Sequence, residues 1–317
     1  MNARLLRPFT ADEVGIALKQ MAHLKAPGPD RFNACFYQKN WNLVGPDVCN
    51  VVLSCLNSDM INKELNSTYI ALIPKSKNSE TVHDYRPVSL CNVVYKLLSK
   101  VLANRLKEVL PAIISPCQST FIPGRLIIDN VLTAYETLHT MQSRMYGKSG
   151  FVAIKLDMSK AYDRVELVFL EAVMKKLGFA QRWVNLIMMC VCTTTFSVIV
   201  NGQPMGQIFP SRGIRQGDPI SLYLFIICAE ALSSLLSRVD SDGTLRGVPT
   251  SKKGSWINHL FFTDDSLLFC RADINQWQKL NKILQLYEKA SRPKLNANKT
   301  VIFFNRNMGD GVKNAIL

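Results

Sequence analysis

Apolar and polar positions follow a helical spacing in some stretches of the chain and a strand-like spacing in others. Thr10, with Glu13 three positions on, forms a capping box. Val14, Ile16, Leu18 and Met21 then give a helix over residues 10–24 an apolar side. Lys25-Ala26-Pro27-Gly28-Pro29-Asp30 breaks it and reads as a loop by composition. Further helices are expected over 45–57 and 92–110. Ile70 to Ile73 reads as a buried strand ending at Pro74-Lys75, and residues 76–84 as a polar, mobile loop. Gly147-Lys148-Ser149-Gly150 is the best internal boundary.

Beyond that boundary, Phe151 to Leu156 is strand-like and leads into Asp157. A helix is expected from about Val165 to Leu177, stopped at Gly178. Phe196 to Val200 and Ile208-Phe209 flank Asn201-Gly202, which suits a type I′ hairpin turn. Asp218-Pro219 has the form of an N-cap followed by proline at the first helical position. The helix from Ile220 to Leu236 is apolar nearly all round and should be buried. Ile257 to Phe262 and Ser266 to Cys270 are strand-like runs on either side of Thr263-Asp264-Asp265. A helix near 274–291 and a strand Val301 to Phe304 follow. Residues 151–317 therefore read as an antiparallel sheet backed by helices, an α+β arrangement, and residues before 150 as mostly helical.

The 317 residues are 48% hydrophobic, enough for a large core in two subdomains. A formal net charge of +14 suits a polyanionic partner, most simply nucleic acid, or a merely soluble basic protein; charge does not choose between them. Nine cysteines show neither a C-x-x-C pair nor zinc-ligand spacing with histidine, which suggests reduced, buried thiols in an intracellular protein. No signal-peptide pattern follows Met1, and the apolar runs Ile187–Cys192 and Ile220–Ala229 are too short to span a bilayer and read as core. No compact run of Lys/Arg acts as a nuclear signal.

Adjacent carboxylates at a hairpin tip repel and raise each other's pKa unless a cation lies between them. Asp264 and Asp265 on a hairpin, with Asp157 after another strand, form the pattern of two-metal phosphoryl transfer. A metal at Asp157 could also touch the Met158 carbonyl, although a lone aspartate often only caps a turn. Arg212 to Pro219 is a glycine-punctuated basic loop entering a helix, a place where backbone can approach an anion. Lys75 and Arg86 flank the polar loop and could clamp a triphosphate, or could simply be solvated. No histidine has ligand spacing.

In this order the pieces resemble a reverse transcriptase, with the closest likeness to the polymerase of LINE-type non-LTR retrotransposons, especially plant copies. The likeness runs from about residue 9 to residue 306. Tyr69 to Lys75, Asp84 to Leu90 and Gln118 to Arg125 resemble the family's fingers. The Asp157 segment, the Gln216-Gly217 loop and Phe262-Thr263-Asp264-Asp265 resemble its palm motifs.

The resemblance implies a right-hand polymerase fold, with helical fingers and part of the palm over 1–150 and the palm over 151–317. It implies RNA-directed DNA synthesis from dNTPs on a DNA primer and an RNA template, with two Mg²⁺ ions, or Mn²⁺ in their place. Asp157 and Asp264 would hold the metals, with Asp265 as the less direct third carboxylate and the Met158 carbonyl as a further ligand. One ion would activate the primer 3′-hydroxyl and the other would neutralise pyrophosphate. Lys75 and Arg86 would grip the triphosphate, Tyr162 would reject a 2′-hydroxyl, and Gln216 and Gly217 would line the nucleotide pocket. Lys299 would be a general acid near pyrophosphate. A nuclear setting is the family expectation.

The sequence departs from the family's pattern at Thr263, where a small residue is usual; a β-branched residue suits a strand. Ser221-Leu222 replaces Ser-Pro. Ser291-Arg292-Pro293 replaces Ser-Gly-Gln, which is costly wherever the backbone needs positive φ. The thumb is expected beyond Leu317, and the parent element's endonuclease outside this chain. The alternatives are an inactive nucleic-acid-binding relic of such an element and a maturase-like RNA-splicing factor. An RNA-dependent RNA polymerase is disfavoured by Tyr162.

Overall fold

The computed structural model describes residues 1–143, 150–251, 254–263, 265–296, 298–305, 308–309, 311 and 313–314. Gly147, Lys148 and Ser149 of the expected boundary, and Asp264 of the acidic pair, lie outside the described residues. Contacts divide the chain into two units, each built from two stretches: Met1–Val109 with Glu166–Leu224, and Leu110–Val165 with Phe225–Leu317.

In chain order the first stretch carries α1 (Asn2–Leu5), α2 (Ala11–Lys19), α3 (Ala34–Lys39), α4 (Trp41–Ser58), β1 (Ser67–Pro74), β2 (Tyr85–Cys91) and α5 (Val93–Lys107). The second unit opens with α6 (Leu110–Ile113), α7 (Ile127–Ser143), β3 (Phe151–Leu156) and β4 (Met158–Ser159). The chain then returns to the first unit in α8 (Leu167–Lys176), α9 (Gln181–Cys192), β5 (Thr195–Val200) and β6 (Gln203–Ile208). It continues through α10 (Ser221–Ser241), β7 (Val248–Pro249), β8 (Trp256–Ile257), β9 (His259–Phe262), β10 (Asp265–Arg271), α11 (Ile274–Ser291), β11 (Lys294–Leu295) and β12 (Val301–Phe304).

In the first unit the capping box forms as its sequence requires: Thr10 Oγ1 accepts from Glu13 N–H and Glu13 Oε2 accepts from Thr10 N–H. The helix behind it is shorter than its apolar pattern, because the Gln38 carboxamide takes the Leu18 and Met21 carbonyls at 2.9 Å each and ends the turn. Arg105 of α5 ties the chain's beginning to this unit. Its guanidinium is 1% exposed, bonds Glu13 at 2.7 and 2.8 Å, donates to the Leu5, Arg7 and Pro8 carbonyls, and covers the Phe9 ring. A buried arginine is tolerable because every donor direction has an acceptor.

The first unit's sheet has the order β2-β1-β5-β6, with β1 antiparallel to β2 and parallel to β5. The expected buried strand at Ile70–Ile73 is part of β1 but only half-buried, with Ile73 50% exposed. Partners on both edges satisfy its backbone without covering its faces. Residues 76–84 are closed by Asp84, whose carboxylate accepts from Thr81 N–H, Thr81 Oγ1 and Glu80 N–H. These bonds, those from Thr81 first, hold the exposed Asp84 carboxyl below the usual range. The Asn201-Gly202 turn has φ values of 50° and 78°, the left-handed pair that a type I′ hairpin needs.

In the second unit the sheet has the order β12-β3-β10-β9, antiparallel throughout the paired strands. Phe151, Ala153 and Phe269 pack with Ala134 and Met141 of α7 and with Leu260 in one core cluster. Gly178 at φ 84° ends α8 as expected. α10 is longer than the apolar run within it: its 21 residues are long and apolar enough, by length and composition, to cross a membrane. Most of them are nevertheless buried within the fold, as in a core helix. The cysteines are free thiols, six of them buried, two half-buried and Cys192 exposed.

Candidate active site

One face of β3 reads Phe151, Ala153, Lys155 and then Asp157, so the strand leaves the core as its side chains change from apolar to charged. β10 runs alongside with Ser266 opposite Leu156. The register stops there, so Asp157 is the residue after the last pair on β3 and Asp265 the residue before it on β10. Asp265 forms an exposed ion pair with Lys155, Nζ to Oδ1 at 3.3 Å. Such a contact is weak in water and exchangeable.

At Asp157 the chain changes partners. β4 continues from it and pairs with β11, Met158 opposite Leu295 and Ser159 opposite Lys294. Asn296, the next residue after β11, reaches back to Asp157 twice. Its N–H donates to the Asp157 carbonyl at 2.9 Å, and its Nδ2 donates to Asp157 Oδ2 at 3.1 Å. The sequence offers no role for Asn296. Its only local signal is its place in the same short motif as Lys299. Lys299 is exposed in the turn that follows, its N–H bonded to the Asn296 carbonyl at 3.1 Å. Tyr162 stacks on Phe225 with ring centroids 5.0 Å apart.

Thr263 corrects an expectation. Phe262 pairs with Asp265, so Thr263 lies past the end of β9 rather than within a strand, and it has φ 63°. A β-branched residue there suits no strand and is strained, since its Cβ crowds the backbone in the left-handed region.

The available donors in this part of the second unit are the Asp157 and Asp265 carboxylates and the Met158 carbonyl. These are hard oxygens of the kind Mg²⁺ prefers. Asp157 commits one oxygen to Asn296, and the exposed pair at Asp265 can be exchanged, so the donor set fits a divalent cation. Among the described residues no group of three His, Cys, Asp or Glu side chains gathers; Asp264 lies outside them.

The other expected residues belong to the first unit. Ile73 pairs with Arg86, and Lys75 N–H continues the ladder to the Asp84 carbonyl at 2.8 Å. Alternation then puts Lys75 and Arg86 on one face of the hairpin. Lys75 Nζ donates to the His83 carbonyl at 2.7 Å. Gln216 accepts from Ser89 N–H at 2.9 Å through its own carbonyl. Gly217 follows with φ 104°, and a Cβ there would come within 3.2 Å of the Ser89 carbonyl, so only glycine fits without strain.

One of the loop's two arginines, Arg215, turns inward, while Arg212 stays exposed. Arg215 is 5% exposed and bonds Asn66 Oδ1 at 2.6 Å, the Cys190 carbonyl at 3.1 Å and Asp218 at 2.8 Å, while its guanidinium lies over Tyr95. Asp218 also takes the Tyr95 hydroxyl at 2.7 Å and the Ser99 hydroxyl. Its Oδ1 accepts from Ile220 N–H at 3.3 Å, which supplies the expected cap, although the helix itself starts at Ser221. The network fixes the backbone that carries Gln216 and Gly217.

Residues 73–312 match the family described as reverse transcriptase (RNA-dependent DNA polymerase). The chain is 29% identical over 297 residues to an uncharacterised 149 kDa protein of transposon TX1 from Xenopus laevis, covering 94% of this chain and 22% of that protein. It is 26% identical over 304 residues to the retrovirus-related Pol polyprotein of the type-2 retrotransposable element R2DM from Drosophila melanogaster, covering 94% of this chain and 27% of that protein. A stretch of 76 residues is 50% identical to an uncharacterised mitochondrial protein of Arabidopsis thaliana, covering 24% of this chain and 62% of that protein. The chain thus spans well under a third of either transposon relative. With its acids delivered to one strand end and most of its length matching that family, the chain belongs to the reverse transcriptases (RNA-dependent DNA polymerases), in their LINE-type, non-LTR retrotransposon branch.

Proposed function

We propose that this chain is the fingers and palm of a retrotransposon polymerase that extends a DNA primer with dNTPs on an RNA template. The observation that carries the reading is that Asp157 and Asp265 flank the last β3–β10 pair, Leu156 opposite Ser266, with Asn296 holding Asp157. Asp157, Asp264, Asp265 and the Met158 carbonyl are assigned to two Mg²⁺ ions, which when bound supply Lewis-acid activation of the primer hydroxyl and charge neutralisation at the leaving pyrophosphate. Lys75 and Arg86 bind the triphosphate by charge-assisted hydrogen bonds. Tyr162 excludes a ribose 2′-hydroxyl, Gln216 and Gly217 line the nucleotide pocket, and Lys299 protonates pyrophosphate. Residues 1–150 serve as fingers with part of the palm, and 151–317 as palm. The setting is the nucleus.

Primer extension on an RNA template with dNTPs and Mg²⁺, comparing the unaltered chain with Asp157→Asn, tests the reading. Extension that falls at least about a thousandfold in the variant supports it. Equal extension by both chains sinks the assignment of Asp157. Two strained non-glycine residues, Thr263 at φ 63° next to the acidic pair in sequence and Arg292 at φ 66° at the end of α11, favour a second reading, an inactive relic that still binds nucleic acid. A folded chain that binds primer–template without extending it would establish that alternative.

A further inference from the structure

β9 is the edge strand of the second unit's sheet, paired with β10 so that Phe262 lies opposite Asp265 and Phe261 opposite Ser266. The outer edge of such a strand carries N–H and C=O groups that need partners once they are buried. Phe261 is 2% exposed, and its partners come from outside the sheet. Its N–H donates to the Cys117 carbonyl at 2.9 Å, and Gln118 forms a single parallel bridge with it. Its carbonyl accepts from Asn130 Nδ2 at 3.3 Å, and the same nitrogen donates to the Cys117 carbonyl at 2.8 Å. One carboxamide –NH₂ thus uses both of its hydrogens to tie the edge of β9 to the Cys117 segment.

Both ends of this tie are fixed. Asn130 is 6% exposed and shares the inward face of α7 with Ala134 and Met141, which pack against Leu260 of β9. On the other side, Arg125 Nη1 donates to the Ser115 and Gln118 carbonyls at 2.5 and 2.7 Å, and its Nη2 to the Ile114 carbonyl at 2.7 Å. Ser115 N–H donates to Glu230 Oε2 of α10 at 2.9 Å. Ser115 Oγ meets Ser233 Oγ at 2.7 Å, and Ser233 Oγ meets His259 Nε2 of β9 at 2.8 Å. β9 is therefore fastened at His259 and at Phe261 to a segment that is itself held.

Phe261 adjoins Phe262, the last residue of β9, whose partner across the sheet is the candidate metal ligand Asp265. Any shift of β9 against β10 therefore moves that end of the strand pair relative to Asp157, and a metal ligand must be held to within about 0.5 Å. We propose that Asn130 is a positioning residue for the acidic end of the β9–β10 pair, locking the free edge of β9 so that Asp265 stays within reach of a divalent cation held at Asp157. That the cation serves polymerisation rests on the function proposed above; the lock on β9 does not.

Two measurements on the free chain, without primer, template or dNTP, test the proposal: amide hydrogen exchange, and Mn²⁺ affinity by electron paramagnetic resonance. Asn130→Leu keeps the side chain's bulk and removes both donors. It is expected to speed exchange at Phe261 and Phe262 about tenfold or more relative to Ile154 of β3. It should also weaken Mn²⁺ binding about tenfold. Met141→Ala is the control, because it opens a cavity in the same packing and leaves the bonds to Phe261 in place. It should speed β3 and β9 together and leave Mn²⁺ affinity unchanged. Unchanged Mn²⁺ affinity in Asn130→Leu would overturn the proposal even if exchange rises, since Asn130 would then only satisfy a buried carbonyl. An equal loss of affinity in Met141→Ala, or no Mn²⁺ binding by the unaltered chain, would overturn it as well. If Asn130→Leu does not fold, Asn130→Ser, whose short hydroxyl has a single hydrogen, carries the same comparison. Primer extension by the unaltered chain is scored separately: a chain whose Mn²⁺ binding depends on Asn130 but which extends no primer sinks the polymerase reading and leaves the lock standing.

Discussion

Asn296 holds Asp157 by both its main chain and its side chain, N–H to carbonyl at 2.9 Å and Nδ2 to Oδ2 at 3.1 Å. A carboxylate fixed in this way keeps its other oxygen aimed and does not have to be ordered when a cation arrives. Asn296→Ala is expected to raise the Mg²⁺ concentration needed for half-maximal primer extension, and to lower activity, by about tenfold or more. A Mg²⁺ titration of extension rate checks it. A variant whose rate falls with no change in Mg²⁺ requirement would show that Asn296 only braces the turn before Lys299.

Tyr162 lies flat on Phe225, 5.0 Å between centroids and 15° between planes, which fixes the ring's orientation. Tyr162→Ala should raise ribonucleotide incorporation relative to deoxyribonucleotide incorporation by about tenfold or more. The ratio is the informative quantity, because general loss of folding lowers both rates together. An unchanged ratio removes the gate assignment.

Arg292 ends α11 at φ 66°, a conformation in which a Cβ is unfavourable. Arg292→Gly is expected to stabilise the chain by about 1 kcal/mol, seen as a higher denaturant midpoint at unchanged slope. The anticipated cost of arginine in place of glycine is therefore met by an actual left-handed residue. A lowered midpoint would mean that the contacts of the Arg292 side chain outweigh its backbone strain.

His259 is fully buried, its Nε2 2.8 Å from Ser233 Oγ and its Nδ1 2.5 Å from Asn258 Oδ1. Burial pushes it down to about 4 from 6.5. Below pH 6.5 the unfolded chain takes up a proton that the folded chain refuses until about pH 4. Stability from this group is therefore complete above 6.5 and lost as pH falls, by up to about 3 kcal/mol at the lower limit. Urea unfolding at several pH values should give a shallower acid loss in His259→Gln than in the unaltered chain. Parallel curves would refute the assignment.

Much of the local architecture follows from residues close together in sequence. The Thr10–Glu13 box, the Asn201-Gly202 turn, the stop at Gly178 and the alternation leading to Asp157 involve contacts a few positions apart, which sequence spacing records. The acids and their order were legible for the same reason. Whether a helix runs on past its cap was not: α2 ends early because Gln38 takes its last carbonyls from outside the helix.

The tertiary structure alone decided where individual polar groups point. Arg215 reads only as part of a basic, glycine-punctuated loop, and it is Asn66, Cys190 and Asp218 that turn it into the interior. Thr263 reads as a strand residue, but the pairing of Phe262 with Asp265 puts it beyond the end of β9 at positive φ. Asn296 stands 139 positions from Asp157, and nothing in either segment names the other as its partner. Periodicity encodes which face of an element is buried, because burial repeats along the element. A single long-range hydrogen bond does not repeat, so only the folded chain, by bringing β4 beside β11, could set that pair together.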